Sequence, residues 1–198
     1  MADSRTEFDI VVLGGGSGGY AAALRASQLG LSVALVEGAK VGGTCLHNGC
    51  IPTKALLHAA ELADQAREAA HFGVNASLES IDMAGVNNYK DTVIGGLYKG
   101  LQGLVKARGV TLVEGWGKLV AKDAVEVDGV RYVGKHVVLA TGSYARSLPG
   151  LEIGGRVITS DQALELDWVP RSAVVLGGGV IGAEFASEDV EHAVVGDR

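Results

Sequence analysis

Cysteine, proline, long apolar runs and excess positive charge are all scarce in this sequence. Its 198 residues include two cysteines and three prolines, too few for a disulfide-stabilised secreted fold or a proline-rich linker. No apolar run approaches the roughly 20 residues that span a bilayer, and residues 1–7 contain no apolar signal region. We therefore expect a cytoplasmic chain without a membrane partner. The net charge of −6 argues against a nucleic-acid partner.

Glycine, in contrast, is abundant: the chain has 30, roughly twice the ordinary usage. Six glycines form two G-x-G-x-x-G motifs, each after a short apolar run and before helix-compatible residues: Gly14, Gly16 and Gly19, then Gly177, Gly179 and Gly182. Strand, glycine turn and helix in this order predict a nucleotide-binding unit. The first glycine permits the tight turn, the second admits a pyrophosphate, and the third lets helix and strand pack closely. A single such motif is weak evidence.

The first motif is followed by a second feature of a dinucleotide site. The strand predicted over residues 32–36 leads into Glu37, which lies 23 residues after Gly14. This is close to the roughly 20-residue spacing of an acid that binds a ribose hydroxyl. The same spacing from Gly177 leads to position 200, beyond the last residue. We therefore expect the second unit to lack its second strand and its ribose-binding acid.

The residues between the two motifs predict an α/β fold. Helices are expected over residues 55–71 and 89–108, a strand over 111–113, an antiparallel excursion over 118–133 with a turn at Asp128-Gly129, and a buried strand over 136–140. The pattern predicts a doubly wound, Rossmann-like domain with a small antiparallel β excursion over residues 1–148. The truncated start of a second Rossmann-like domain is expected over residues 149–198.

The two cysteines, Cys45 and Cys50, precede the alanine-rich helix and are separated by four residues. On an ideal helix their Cα atoms would lie ~8–9 Å apart. A disulfide needs about 4.4–6.8 Å, so a bridge requires a non-helical segment, which Gly49 permits. Pro52 favours a helix that starts there, and the helix N-terminus and Lys54 favour a thiolate. A redox pair is the preferred interpretation, and two alternatives stay open: a zinc site that also uses His47, and two unrelated buried thiols.

Residues 43–54, which read GTCLHNGCIPTK, resemble the active-site signature of the flavin-dependent pyridine-nucleotide disulfide oxidoreductases. This family includes dihydrolipoamide dehydrogenase, glutathione reductase and mercuric reductase. The CIPTK segment and residues 96–117 are most similar to dihydrolipoamide dehydrogenase. The resemblance extends from about residue 8 to residue 187. It implies an FAD-binding domain over residues 1–148 and the truncated start of an NAD-binding domain over 149–198.

The resemblance also implies roles for individual residues. Those implied to bind FAD are Gly14, Gly16 and Gly19 under the pyrophosphate, Glu37 on the ribose, Gly43, Thr44 and Cys45 along the flavin, Lys54 beside flavin N5, Gly117 at the adenine side, and Thr141, Gly142 and Ser143 in a closing turn. Those implied to bind NAD are Gly177, Gly179, Gly182 and Glu184. The catalytic pair is Cys45, which exchanges with substrate, and Cys50, which faces the flavin.

In such enzymes dihydrolipoamide reduces the disulfide, the dithiol reduces FAD, and a hydride passes to NAD⁺. The resemblance implies a homodimer, and a lipoamide-bearing acyltransferase of a 2-oxo acid dehydrogenase complex as partner. A glutathione or mercuric reductase-like enzyme, with the same core and a different substrate, is one alternative. A non-catalytic FAD-binding fragment is another, because no histidine here matches the family's proton acceptor. The match breaks after Ser187, where residues 188–192 are acidic and residues 193–197 faintly resemble a later flavin motif of the family.

Overall fold

The computed structural model describes residues 6–187 in full and the backbone of residues 193–196. Its elements, in chain order, are β1 (Glu7–Leu13), α1 (Ser17–Gln28), β2 (Val33–Glu37), α2 (Gly43–His47), α3 (Cys50–Glu68), a 3₁₀ turn (Ala69–Phe72), α4 (Met83–Ala107), β3 (Thr111–Glu114), β4 (Lys118–Ala121), β5 (Ala124–Val127), β6 (Val130–Leu139), α5 (Ser160–Ala163), β7 (Ala173–Leu176), α6 (Val180–Ser187) and β8 (Ala193–Gly196). None of the helices described is long and apolar enough to cross a membrane.

The described residues form two compact units. The first contains the residues up to His47 together with Gly95–Tyr144, and the second contains Asn48–Ile94 together with the residues from Ala145 onward. The chain thus leaves the first unit and returns to it. The predicted domain boundary at residues 148/149 concerns a different property, the limits of the cofactor-binding domains, and stays a prediction.

The first compact unit is built on a six-stranded sheet with the order β3-β2-β1-β6-β5-β4. Strands β3, β2, β1 and β6 run parallel, and β5 and β4 continue the sheet as antiparallel strands. Neighbouring residues of β1 point to opposite faces, so Val11 joins the core with Val125 of β5, while Val12 joins the core with Ala23 of α1 and Val105 of α4. Both faces are therefore covered, one by helices α1 and α4 and the other by packing against the antiparallel strand β5.

Asp9 and Lys135 form an ion pair between two neighbouring strands of this sheet. Asp9 of β1 accepts hydrogen bonds from Lys135 Nζ of β6 at 2.7 Å and from the backbone N–H and hydroxyl of Ser32 at 2.8 and 2.7 Å. The hydrogen bond from Lys135, with those from Ser32, holds the pKa of the Asp9 carboxyl well below its usual range, and the pKa of Lys135 is raised in turn. One carboxylate thus joins β1, β6 and the residue that precedes β2.

Several predicted elements differ in extent from those observed. Helix α3 begins at Cys50 instead of residue 52 or 55, and α4 begins at Met83 instead of residue 89. The turn at Asp128-Gly129 is confirmed, since both residues have positive φ, 48° and 81°. The excursion and the strand over 136–140 are not separate elements, because β6 runs through both as one strand of ten residues. It pairs with β5 at its start and with β1 further along.

The second compact unit contains the second glycine motif between β7 and α6, and β8 pairs parallel with β7. The expectation that this unit lacks its second strand is therefore wrong. The connection from β7 to β8, residues 177–192, is three residues shorter than the connection from β1 to β2, residues 14–32, so the second strand arrives before the spacing of the first unit predicts. The acidic residues 188–192 and the last residue of the faint flavin motif, Asp197, lie outside the described residues.

Candidate nucleotide-binding and redox site

Two glycines of the first motif are required by the fold itself. Gly14 has φ +103°, and a Cβ there would lie 2.1 Å from the carbonyl oxygen of Ala140. A Cβ at Gly19 would lie 1.8 Å from the carbonyl oxygen of Gly14. These contacts are far too short for any side chain. The tight turn and the close approach of helix to strand that the spacing predicts are both present.

Gly16 behaves differently from its two neighbours in the motif. Its backbone has φ −69°, which any residue can adopt, and the nearest atom to an added Cβ is the Cα of Gly43 at 3.9 Å. Packing within the protein does not explain a glycine here. Gly16 is the N-cap of α1 and offers no side chain to the open N–H groups of the first turn. This open cradle at a helix N-terminus fits a pyrophosphate.

Glu37 lies at the end of β2 and contacts the same loop. Its Oε2 accepts a hydrogen bond from the backbone N–H of Gly15 at 2.7 Å, and its Oε1 accepts one from Ala39 at 2.8 Å. Each carboxylate oxygen can accept further hydrogen bonds, so ribose hydroxyls remain acceptable partners. A Cβ at Gly15 would lie 3.0 Å from Glu37 Oε2. Gly15 is thus part of the site, a residue the motif leaves unspecified and only the run of three glycines could have indicated.

The cysteine segment starts against the glycine loop. Gly43 has φ +60°, and a Cβ there would lie 2.6 Å from the Cα of Gly16, so only glycine permits this approach. Thr44 is exposed and Cys45 is half-buried in the short helix α2. The resemblance placed Gly43, Thr44 and Cys45 along a flavin. In the structure Gly43 brings this segment to the predicted pyrophosphate cradle.

Cys50 is the first residue of the 19-residue helix α3 and is exposed. At the start of this helix, the N–H of Thr53 donates a hydrogen bond to the carbonyl oxygen of Gly49, the N-cap residue, at 3.0 Å. Pro52 lies in the first turn, where its missing N–H costs no helical bond. The first turn carries no acidic residue and no side-chain cap. Its positive dipole end therefore faces the position of Cys50 without a competing carboxylate of the same turn.

Lys54 of α3 forms an ion pair with Glu184 of α6 within the second compact unit. The resemblance assigned Lys54 to the flavin and Glu184 to NAD. The two residues are 130 positions apart in the sequence, and no local pattern indicates that they meet. The pair supplies a partly exposed positive charge that is balanced by a carboxylate.

The remaining predicted FAD residues lie at the carboxyl edge of the first sheet. Gly117 has no room for a side chain, since a Cβ would lie 2.6–2.9 Å from Leu13, Val36 and Val125. Thr141, Gly142 and Ser143 are exposed and follow the end of β6, which is paired with the end of β1. Ligands of open α/β sheets bind at this edge.

The second glycine loop repeats the pattern of the first. Gly177 has φ +112°, a Cβ at Gly182 would lie 1.9 Å from the carbonyl oxygen of Gly177, and a Cβ at Gly179 would meet no atom of the described chain within 4 Å. The fold again requires the first and third glycines and leaves the second open.

The zinc alternative for the cysteines has no ligand set in the part of the chain that the structure describes, where no three His, Cys, Asp or Glu residues are grouped to hold a metal. His47, its third candidate ligand, is engaged otherwise. Its Nε2 lies 3.0 Å from the carbonyl oxygen of Val41, and its ring packs edge-to-face on Tyr98 with centroids 5.1 Å apart.

Comparison with known proteins agrees with this geometry. The family model described as pyridine nucleotide-disulphide oxidoreductase matches residues 8–194. Dihydrolipoyl dehydrogenase of Bacillus subtilis is 45% identical over 196 residues, covering 92% of this chain and 41% of that protein. Leghemoglobin reductase of Vigna unguiculata is 43% identical over 195 residues, covering 94% and 37%. Dihydrolipoyl dehydrogenase of Pseudomonas aeruginosa is 43% identical over 198 residues, covering 94% and 43%. The chain thus spans about two fifths of the length of these relatives, and it belongs to the pyridine nucleotide-disulphide oxidoreductase family.

Proposed function

We propose that this chain forms the FAD-binding and disulfide-bearing part of an enzyme that oxidises dihydrolipoamide at the expense of NAD⁺. The observation that carries the proposal is the open cradle over Gly16, with the Glu37 carboxylate hydrogen-bonded to the same loop through Gly15. A pyrophosphate and a ribose in tandem are what such an arrangement accommodates. Relatives named dihydrolipoyl dehydrogenase favour the lipoamide substrate over glutathione or a mercuric ion.

FAD, when bound, accepts two electrons from the dithiol and delivers them as a hydride to NAD⁺. The chain's own part in cofactor binding is positional. Gly14 and Gly19 set the turn, Gly16 leaves room for phosphate, and Glu37 accepts the ribose hydroxyls. Gly117 and residues 141–143 border the same sheet edge. Lys54, with its charge balanced by Glu184, is assigned to the flavin ring.

Cys45 and Cys50 carry the exchange step in this proposal. One thiolate of dihydrolipoamide attacks the sulfur of Cys45, the Cys45–Cys50 bond breaks, and Cys50 leaves as a thiolate. The second substrate thiolate then attacks the substrate sulfur of the mixed disulfide and releases Cys45. The products are the cyclic disulfide of lipoamide and two cysteine thiolates, and two protons leave the substrate. The N-terminus of α3 favours the negative charge that develops on Cys50.

The partners of the whole enzyme belong to the same proposal. A lipoamide-bearing acyltransferase of a 2-oxo acid dehydrogenase complex would present the substrate, and the active enzyme would be a homodimer. NAD would bind at the loop of Gly177, Gly179 and Gly182. A chain that binds FAD and exchanges thiols without turnover is the alternative that the experiments separate.

The test is FAD binding by the folded chain and by matched Glu37 variants. Glu37→Ala should weaken binding by about 1–3 kcal/mol, because charge-assisted hydrogen bonds to the ribose are lost. Glu37→Gln, which keeps one acceptor oxygen, should lose less. Glu7→Ala is the control, since Glu7 lies at the opposite end of β1. Flavin fluorescence measures the titration. A folded wild-type chain without saturable FAD binding contradicts the proposal.

A further inference from the structure

Trp116 is a large aromatic side chain that the site described above does not use. It lies between β3 and β4 in the first compact unit, and 79% of it is exposed. An indole with so much apolar surface in water loses the stabilisation that burial gives. The backbone on both sides of it is constrained, because Trp116 is flanked by two glycines that the fold requires. Gly115 has φ +144°, and a Cβ at Gly117 would collide with the core.

The indole packs flat on the chain directly after Glu37. A Cβ at Gly38 would lie 2.6, 2.8 and 2.9 Å from Cδ2, Cε3 and Cε2 of Trp116. Nearly equal distances to three bonded ring atoms place the Gly38 backbone against the face of the ring. The N–H of Gly115 also donates to the carbonyl of Glu37 at 2.9 Å. The ring is therefore anchored to the residue that is assigned to the ribose.

The adenine base of a dinucleotide bound in this order can be placed from its ribose. If its pyrophosphate lies over Gly16 and its ribose at Glu37, the base attached to that ribose lies beyond Glu37, on the side away from the glycine loop. Gly38 and Trp116 border this position. One face of the indole rests on Gly38, and its exposed surface is available to a flat, apolar partner.

We infer that Trp116 is a specificity-determining residue that holds the adenine ring of the dinucleotide by aromatic contact; the inference rests on the proposed FAD site. Stacking of a base on an aromatic side chain changes affinity by about 5- to 150-fold when the side chain is removed. Because the ring is not enclosed, we expect an effect near the lower end. A flavin mononucleotide, which has no adenine, gains nothing from this contact.

The experiment uses the full chain in a Trp168→Phe background, which leaves Trp116 as the sole tryptophan. ADP, which carries adenine but no flavin, should quench the Trp116 fluorescence in a saturable manner. FAD and ADP should bind about tenfold more weakly to Trp116→Ala and about as tightly to Trp116→Phe. The weak affinity for flavin mononucleotide should be the same in all three chains. Trp168 belongs to the second compact unit, whereas the glycine loop and Glu37 belong to the first.

The outcomes separate the inference from the proposed function. If the Trp168→Phe chain folds and binds neither FAD nor ADP, the proposed function fails. If it binds FAD but ADP leaves the Trp116 fluorescence unchanged, or if Trp116→Ala retains full affinity for FAD, the adenine contact is wrong while the FAD site stands. Should Trp116→Ala not fold, the quenching by ADP and the affinity of Trp116→Phe still decide the question.

Discussion

At the scale of single residues, the glycines of the two loops fall into two classes. Gly14, Gly19 and Gly43 are needed because a side chain would collide with backbone atoms or require a strained φ. Neither a collision nor a strained φ requires a glycine at position 16. The free space over Gly16 therefore indicates that a ligand occupies it. A sequence motif alone cannot separate the two classes, because all of its glycines look alike until the contacts of an added Cβ are known.

This difference predicts that Gly16→Ala separates stability from cofactor binding. Its Cβ fits the free chain and its φ is ordinary, so we expect a loss of only about 0.5–1 kcal/mol in stability, because alanine is a poorer N-cap than glycine. FAD affinity should fall at least about tenfold, because the methyl group occupies the space of the phosphate. Gly179→Ala, the equivalent change in the second loop, is the matched control and should leave FAD affinity unchanged. Thermal unfolding and flavin titration measure the two effects; a Gly16→Ala chain with normal FAD affinity would show that the open space has another purpose.

The cysteines yield a prediction about the order of alkylation. Cys50 is exposed and Cys45 is half-buried, whereas the resemblance assigns Cys50 to the side that a bound flavin would cover. In the FAD-free chain we expect Cys50 to alkylate at least as fast as Cys45. FAD should slow the alkylation of Cys50 severalfold and leave Cys45 the faster thiol.

Peptide mass spectrometry after timed iodoacetamide treatment measures this order. On oxidation without alkylating agent the chain should lose two hydrogens, and Cys50→Ser should abolish the loss. Protection of neither thiol by saturating FAD would remove Cys50 from the flavin side. A pair that stays reduced under oxidant and binds stoichiometric zinc would restore the metal alternative.

At the scale of secondary-structure elements, the sequence predicts those parts whose signal is local. β1, α1 and β2 are close to prediction because an apolar run, a glycine turn and a strand ending in an acid follow each other directly. The sequence predicts β6 as two separate elements because Gly134 and Lys135 interrupt its apolar pattern. In the fold, Gly134 admits the close approach of Val11, whose N atom would be 2.9 Å from a Cβ there, and Lys135 pairs with Asp9. The ion pair of Lys54 with Glu184 depends on tertiary contact alone.

Helix α4 carries four glycines in its interior, and they lead to a stability prediction. A Cβ added at Gly95, Gly96, Gly100 or Gly103 would meet no atom of the described chain within 4 Å outside the helix itself. Gly100→Ala should therefore raise the free energy of unfolding by about 0.4–1 kcal/mol, since alanine restricts the unfolded chain and favours the helix. Urea unfolding followed by circular dichroism measures the change.

Gly134→Ala, whose Cβ would lie 2.7 Å from a carbonyl oxygen in β6, is the control and should destabilise the chain. If Gly100→Ala also destabilises, the glycine face of α4 is in close contact with another helix in solution, for example that of a second molecule.

At the scale of the whole molecule, the two glycine loops are alike but their supports differ. The first loop emerges from a six-stranded sheet that is covered on both faces. The second emerges from a two-stranded sheet, where Val174 and Leu176 of β7 are 77% and 58% exposed. Val180 and Ile181 at the start of α6 are exposed as well. A loop is held in its binding conformation by the packing beneath it, so equal motifs do not imply equal affinity.

We therefore expect this chain to discriminate strongly between its two cofactors. NADH should bind no more tightly than about 1 mM, because the second loop rests on an element with little buried apolar surface. FAD binding should be far tighter and should be weakened by Gly16→Ala but not by Gly179→Ala. Calorimetric titration of the FAD-loaded chain with NADH measures the difference. A micromolar NADH site that Gly179→Ala abolishes would mean that β7, α6 and β8 suffice to hold the second loop, and that the exposed face of β7 is no obstacle to nucleotide binding.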